Sequence, residues 1–185
     1  MKALFFFFYG KLTADMMIGG LIDMGVPPVY LKSKLKDAGL PDNFIEKPNP
    51  KAQISAHYFH IPPYGDKPLL LKQADLFRIW KDICSKGAPE WEETGWKVFS
   101  ALTAGVSHAI DEIPADVVDL RRAGVSEENL ISLYLFLACL DYLEVETLFT
   151  CPFTISKGKT EKGRSSAAIL TDAVSTVGKE VPAED

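Results

Sequence analysis

Two short apolar runs and a series of helical patterns divide the chain. Residues 3–8 read Ala-Leu-Phe-Phe-Phe-Phe, and a second run at 145–151, Val-Glu-Thr-Leu-Phe-Thr-Cys, ends at Pro152. Six apolar residues in a row suit a strand buried on both faces and are too short to span a membrane. Helical periodicity covers residues 13–25, then 29–38 with Leu31, Leu35 and Ala38 on one side and Gly39 at the close. It returns at 69–86 through Leu76, Ile79, Trp80 and Ile83, and again from Pro89 through Trp96, Phe99, Leu102 and Val106 toward His108. Residues 130–143 hold only Ser132 and Asp141 as strongly polar positions. A helix so apolar all round is either the central helix of a core or an oligomer contact.

The punctuation agrees with these elements. Gly10 permits a sharp exit from the first strand, Thr13 stands at an N-cap position, and Gly25-Val26-Pro27-Pro28 is a stop. Ser126 followed by Glu127 and Glu128 starts the apolar helix, with negative charge where the helix dipole favours it. Residues 40–50, with Pro41, Pro48 and Pro50, read as loop; 52–61 read as a strand that Pro62-Pro63 ends. Residues 113–123 suit one or two helical turns. The polar, basic stretch 156–164 with Gly158 and Gly163 reads as a mobile loop, 165–177 regains helical spacing, and 178–185 is an acidic tail. The sum is an α/β fold, a helix-rich domain with a small buried sheet, in which the strands at 3–8 and 145–151 are neighbours. A chain of 185 residues is read as a single domain over 1–185.

Composition narrows the function classes. A net charge of -5 and the lack of a basic stripe with interleaved aromatics argue against a nucleic-acid partner. One lysine before the first apolar run and no small-residue cleavage site argue against a signal peptide, so the expected location is the cytoplasm, without a membrane partner. Cys84, Cys139 and Cys151 are widely spaced and read as reduced thiols rather than zinc ligands.

Candidate chemistry is sparse. The strand-to-helix junction presents backbone N–H groups, and Gly10, Lys11 and Thr13 form a candidate anion or phosphate site there, with Asp15 inside the first helical turn. His57 and His60 are the one close histidine pair. On a strand that spacing sends them to opposite faces, which opposes a shared metal site. His108 lies at a helix end, where an imidazole also interacts with terminal carbonyls. The candidate metal ligands are His108 and Asp15, and Asp15 is the candidate catalytic residue. Asp15 and Asp23 lie two turns apart on one helix, too far to chelate one ion together.

The stretch from Asp15 to Pro27 resembles the opening of the nickel insertion proteins that load nickel into the pincer cofactor of lactate racemase. Asp15, Met16, Gly19, Leu21, Asp23, Gly25, Val26 and Pro27 fall on that family's pattern without a gap. Further on, Ala104 and His108 match the Ala and His of the family's Ala-x-x-Val-His-Gly run, and Pro152 matches the Pro after its second strand. Phe7 stands in place of the family's first Asp, Tyr9-Gly10-Lys11 in place of Phe-Ser-Gly, and Leu120-Arg121-Arg122-Ala123 in place of a His-rich cluster. Arg has no acceptor for a metal, so the last change removes ligands. The resemblance covers the family's N-terminal domain. It implies nickel as the metal, a sulfur-containing pyridinium mononucleotide as its acceptor and, if active, a nickel chelatase-type lyase.

Three readings follow. The main one is a divergent nickel-insertion-like protein that has lost much of the metal chemistry. It would act with another copy of itself or with a separate protein carrying the C-terminal domain. The second is a non-enzymatic interaction or dimerisation module using residues 130–143 as its contact surface. The third is phosphate or nucleotide binding at Gly10, Lys11 and Thr13.

Overall fold

The computed structural model describes residues 2–7, 13–48, 57–62, 71–109, 117, 119–123 and 125–150. Along them run β1 (Lys2–Phe6), α1 (Ala14–Asp23), α2 (Pro28–Asp37), β2 (Ile45–Pro48), β3 (His57–His60), α3 (Gln73–Gly87), α4 (Glu92–Ala109), α5 (Glu127–Tyr142) and β4 (Val145–Thr150). Short 3-10 turns stand at Pro89–Trp91 and Leu120–Ala123. The class is helix-rich α/β, with two small sheets in which β1 pairs with β4 and β2 with β3. The loop expected at 156–164, the helix at 165–177 and the tail at 178–185 lie outside the described residues, as does Cys151.

Two compact units divide the chain, and α3 contributes residues to both. The first takes residues 1–67, 82–89 and 127–153; the second takes 68–81, 90–126 and 154–185.

The first unit is built on α5. Leu130, Tyr134, Leu135, Ala138 and Cys139 have no exposed surface, and the helix packs on α1, α2 and β4. This is the central-helix outcome that its all-round apolar surface allowed. The Tyr134 hydroxyl donates to the Lys34 carbonyl at 3.3 Å. It also lies so close to Gly87 that a Cβ there would overlap it, which is why α3 ends on glycine. Burial pushes the Cys139 thiol up to about 12.

β1 and β4 run parallel, with Ala3 opposite Thr147, Leu4 opposite Leu148 and Phe5 opposite Phe149. Leu4 is buried, and the Phe6 ring meets that of Phe136 on α5 at 6.0 Å. Phe5 and Phe7 are exposed, as are Leu148 and Phe149. The strand is therefore buried on one face rather than both. A second difference concerns residues 40–50, read as loop for their prolines, which contain β2. Pro48 is the last residue of that strand, where a missing N–H interrupts no ladder.

The second unit is organised by Trp80, fully buried on the N-terminal part of α3. Its indole N–H is shared between the carbonyls of Trp91 at 3.3 Å and Glu92 at 3.2 Å. Its ring meets Phe99 edge-on at 5.6 Å. Gly95 lies against the indole with no room for a Cβ. Asp119 accepts from the backbone N–H groups of Leu71 and Arg121, each at 3.2 Å, which ties the Leu120–Ala123 turn to the start of α3.

Replacing Leu135 with Ala is expected to lower stability by about 2–5 kcal/mol, the range for emptying a large side chain from a packed core; equilibrium urea unfolding measures it. The buried thiols Cys84 and Cys139 are expected to resist iodoacetamide in the native protein at mildly alkaline pH and to react fully in denaturant. Peptide mass spectrometry distinguishes the two states.

Candidate functional site

α1 carries Asp15 and Asp23, the two carboxylates around which the polar side chains of the first unit gather. Its start is fixed by Thr13, extended at φ -125° and ψ 160°, whose hydroxyl oxygen accepts from the Met16 N–H at 3.2 Å. Asp15 sits in the first turn, where the helix dipole stabilises a carboxylate. At the other end Gly25 takes φ +112°, a conformation that L side chains rarely adopt. The reversal there lets Gly25 N–H reach the Ile22 carbonyl at 2.9 Å and Val26 N–H reach that of Leu21 at 3.2 Å.

Asp15, Gly19 and Asp23 are spaced i, i+4 and i+8, so they form one stripe along the helix. β3 lies along this stripe. One edge of β3 is paired with β2, with His57 opposite Pro48 and His60 opposite Ile45. The other edge meets α1. There the His57 N–H donates to Asp23 Oδ2 at 3.0 Å, and the His57 carbonyl oxygen lies 2.7 Å from where a Cβ on Gly19 would stand. A strand edge normally needs another strand to satisfy its backbone. Here a carboxylate and a bare glycine supply that fit.

Both histidines then reach the helix. His57 Nδ1 is 2.6 Å from Asp23 Oδ1, and its Nε2 is 3.3 Å from Glu46 Oε1 on β2. His60 Nδ1 is 3.0 Å from Asp15 Oδ2. The period of two does place the imidazoles on opposite faces of β3. Because α1 lies against the strand's edge, either face is within reach of it. Eight helical residues rise about 12 Å, and three strand residues span roughly 10 Å. An Asp-Gly-Asp stripe therefore matches a His-x-x-His strand in length, and this correspondence was the available signal in the sequence.

The two pairs differ in what they offer. His57 has a carboxylate oxygen near each ring nitrogen, so it ties α1, β2 and β3 together rather than turning a lone pair outward. His60 is held at Nδ1 only. With its N–H directed to Asp15, the neutral ring presents Nε2 as a donor, the arrangement in which a carboxylate orients a metal-binding or proton-accepting imidazole. Its side chain is about two-fifths exposed. Among the described residues no group of three or more His, Cys, Asp or Glu is placed to hold one metal ion.

Of the residues singled out from sequence, Asp15 and Thr13 are described, and Asp15 is paired with His60. Gly10 and Lys11 lie outside the described residues, so the anion loop has only its capping Thr13 on view. His108 falls near the end of α4 in the second unit, and its side chain lies outside the described residues. The pairings of His60, His57 and Glu46 were missed because sequence periodicity reports faces of a strand and says nothing about its edges.

A family model described as nickel insertion protein matches residues 7–183. A putative nickel insertion protein of Synechococcus sp. (strain JA-3-3Ab) is 24% identical over 184 residues, covering 94% of this chain and 43% of that protein. A putative nickel insertion protein of Geotalea daltonii (strain DSM 22248 / JCM 15807 / FRC-32) is 22% identical over 190 residues, covering 98% of this chain and 46% of the relative. The chain thus spans about half the length of the curated relatives it matches. No solved structure matches.

Adjacent glycines on α1 give opposite expectations. Gly20 has open space around it, so Gly20→Ala is expected to stabilise by about 0.5–1 kcal/mol through backbone entropy. Gly19→Ala drives a methyl into the His57 carbonyl and is expected to destabilise by about 1–3 kcal/mol. Thermal unfolding of the two variants side by side tests the contact, and equal shifts would refute it.

Proposed function

The chain belongs to the nickel insertion protein family, and from that premise we propose that it handles Ni(II) as cargo, with His60, oriented by Asp15, as the imidazole that meets the ion. The observation that carries this is the 3.0 Å contact from Asp15 Oδ2 to His60 Nδ1, which leaves Nε2 as an outward donor. The acceptor in this reading is the sulfur-bearing pyridinium mononucleotide that becomes the nickel pincer cofactor, and the reaction is of the chelatase type.

One oriented imidazole makes a weak holding site, since Ni(II) binds firmly only to several nitrogen or oxygen donors. In this reading the protein is a divergent member of its family that holds nickel transiently. The remaining donors come from a second copy or from a region equivalent to the other half of the relatives' length, whichever chain carries it. The exchange proceeds in the cytoplasm.

A non-enzymatic interaction module is the second reading, and its contact surface changes. Residues 130–143 are largely occupied by the first unit's own core. The exposed face of Phe5, Phe7 and Phe149 favours it instead.

Isothermal titration of the metal-free protein with Ni(II) tests the nickel reading. Saturable but weak binding is expected, without a nanomolar step. His60→Ala should abolish it, and Asp15→Asn should weaken it roughly 10- to 100-fold, as removal of an orienting partner does. Binding that survives His60→Ala unchanged, or no binding at all, sinks the assignment.

A further inference from the structure

A half-open cleft of about 220 Å³ lies within the first unit, on the side of α1 that carries Ala14 and Met17. Among the described residues its remaining walls are Asn129, Ser132, Leu133 and Phe136 of α5. Phe136 also packs against Phe6, the last residue of β1, so the cleft stands at the carboxyl end of the parallel β1–β4 pair. That is the end of a parallel sheet at which ligands generally bind.

Ser132 is the second observation. It is only 8% exposed, and its hydroxyl has no hydrogen-bond partner among the described residues. The oxygen is not among the fully sealed, unpartnered atoms, and Ser132 is one of the residues lining the cleft. A hydroxyl in so apolar a setting is ordinarily paired with protein or water. Serine in mid-helix commonly turns back to a carbonyl one turn earlier, and this one does not.

We propose that this cleft is a binding site for an uncharged, single-ring aromatic molecule bearing one hydrogen-bonding substituent, with Ser132 as the group that recognises the substituent. Volume sets the size, because a cavity of about 150 Å³ lined by apolar side chains accepts benzene. The larger cleft therefore takes one ring with a substituent. Met17, Leu133 and Phe136 supply apolar, aromatic and sulfur surface suited to a flat ring. Charge sets the class. Glu127 and Glu128 occupy the first turn of α5 and Asp15 that of α1, so both helix starts already carry carboxylates, and an anionic ligand meets like charge. The proposal is independent of nickel, and its test is run without metal.

Benzamide is the probe, titrated into the 185-residue chain and followed by ligand-observed NMR, with benzoate and cyclohexanecarboxamide in parallel. Saturable binding of benzamide with a Kd on the order of millimolar is expected for so small a ligand. Benzoate and the non-planar amide should bind markedly less. Ala14 is exposed on the first turn, so Ala14→Phe places a ring in the cleft without disturbing the core and should abolish binding with an unchanged far-UV circular dichroism spectrum. Ser132→Ala should weaken it several-fold. Absence of saturation in the folded wild-type protein, undiminished binding by Ala14→Phe, or benzoate equal to benzamide overturns the proposal.

Discussion

The first unit depends on how closely one helix approaches one strand edge. Among the described residues β3 spans four residues and pairs with β2, also four residues long. A two-stranded ribbon of that size is marginal in water. What holds it is the double acceptance by Asp23, which takes the backbone N–H and the ring of His57 together. That contact is possible because Gly19 presents no side chain to the His57 carbonyl. With the ribbon fixed there, Phe59 is buried against the ring of Phe44 at 4.9 Å, and His60 arrives beside Asp15. Removing the close approach would move every polar group of the candidate site.

Local signals made much of the secondary structure legible. Thr13 caps α1, Gly25 and Gly39 take positive φ just after α1 and α2, and Leu31, Leu35 and Ala38 form the buried stripe of α2. The pairing of β1 with β4 was legible from their shared apolar character. Less legible were features set by neighbours distant in sequence. β2 was hidden by its prolines, because propensity cannot tell a strand that ends on proline from a loop that contains one. The exposed face of β1 was hidden because an apolar run reads the same whether one face is covered or two. The association of His57 and His60 with α1 was hidden because it runs through a strand edge.

The residues through which the chain resembles its family now have distinct physical roles. Asp15 orients an imidazole, Gly19 permits contact, Asp23 satisfies a strand edge, and Gly25 turns the chain at φ +112°. Gly19, Asp23 and Gly25 thus act together to seat a helix on a ribbon, and Asp15 holds the one imidazole of that ribbon with a ring nitrogen left over. The second unit follows a simpler logic. Trp80, with both a ring to pack and an N–H to satisfy, needs Gly95, Phe99 and the Trp91 and Glu92 carbonyls in place at once.

The pairing of β1 with β4 sets an order of events during synthesis. Lys2 lies opposite Val145 and Phe6 opposite Thr150, so the first described strand pairs with the last described one, about 140 residues later in synthesis. At translation rates of about 5–20 residues per second, β1 waits on the order of ten seconds or more for its partner. Through that interval a run of four consecutive phenylalanines is without its strand neighbour, a hazard for association with other nascent chains. Closing so long a loop also makes the sheet a late event in folding. α1 and the β2–β3 ribbon can assemble at Gly19 beforehand, and the arrival of α5 and β4 then completes the first unit.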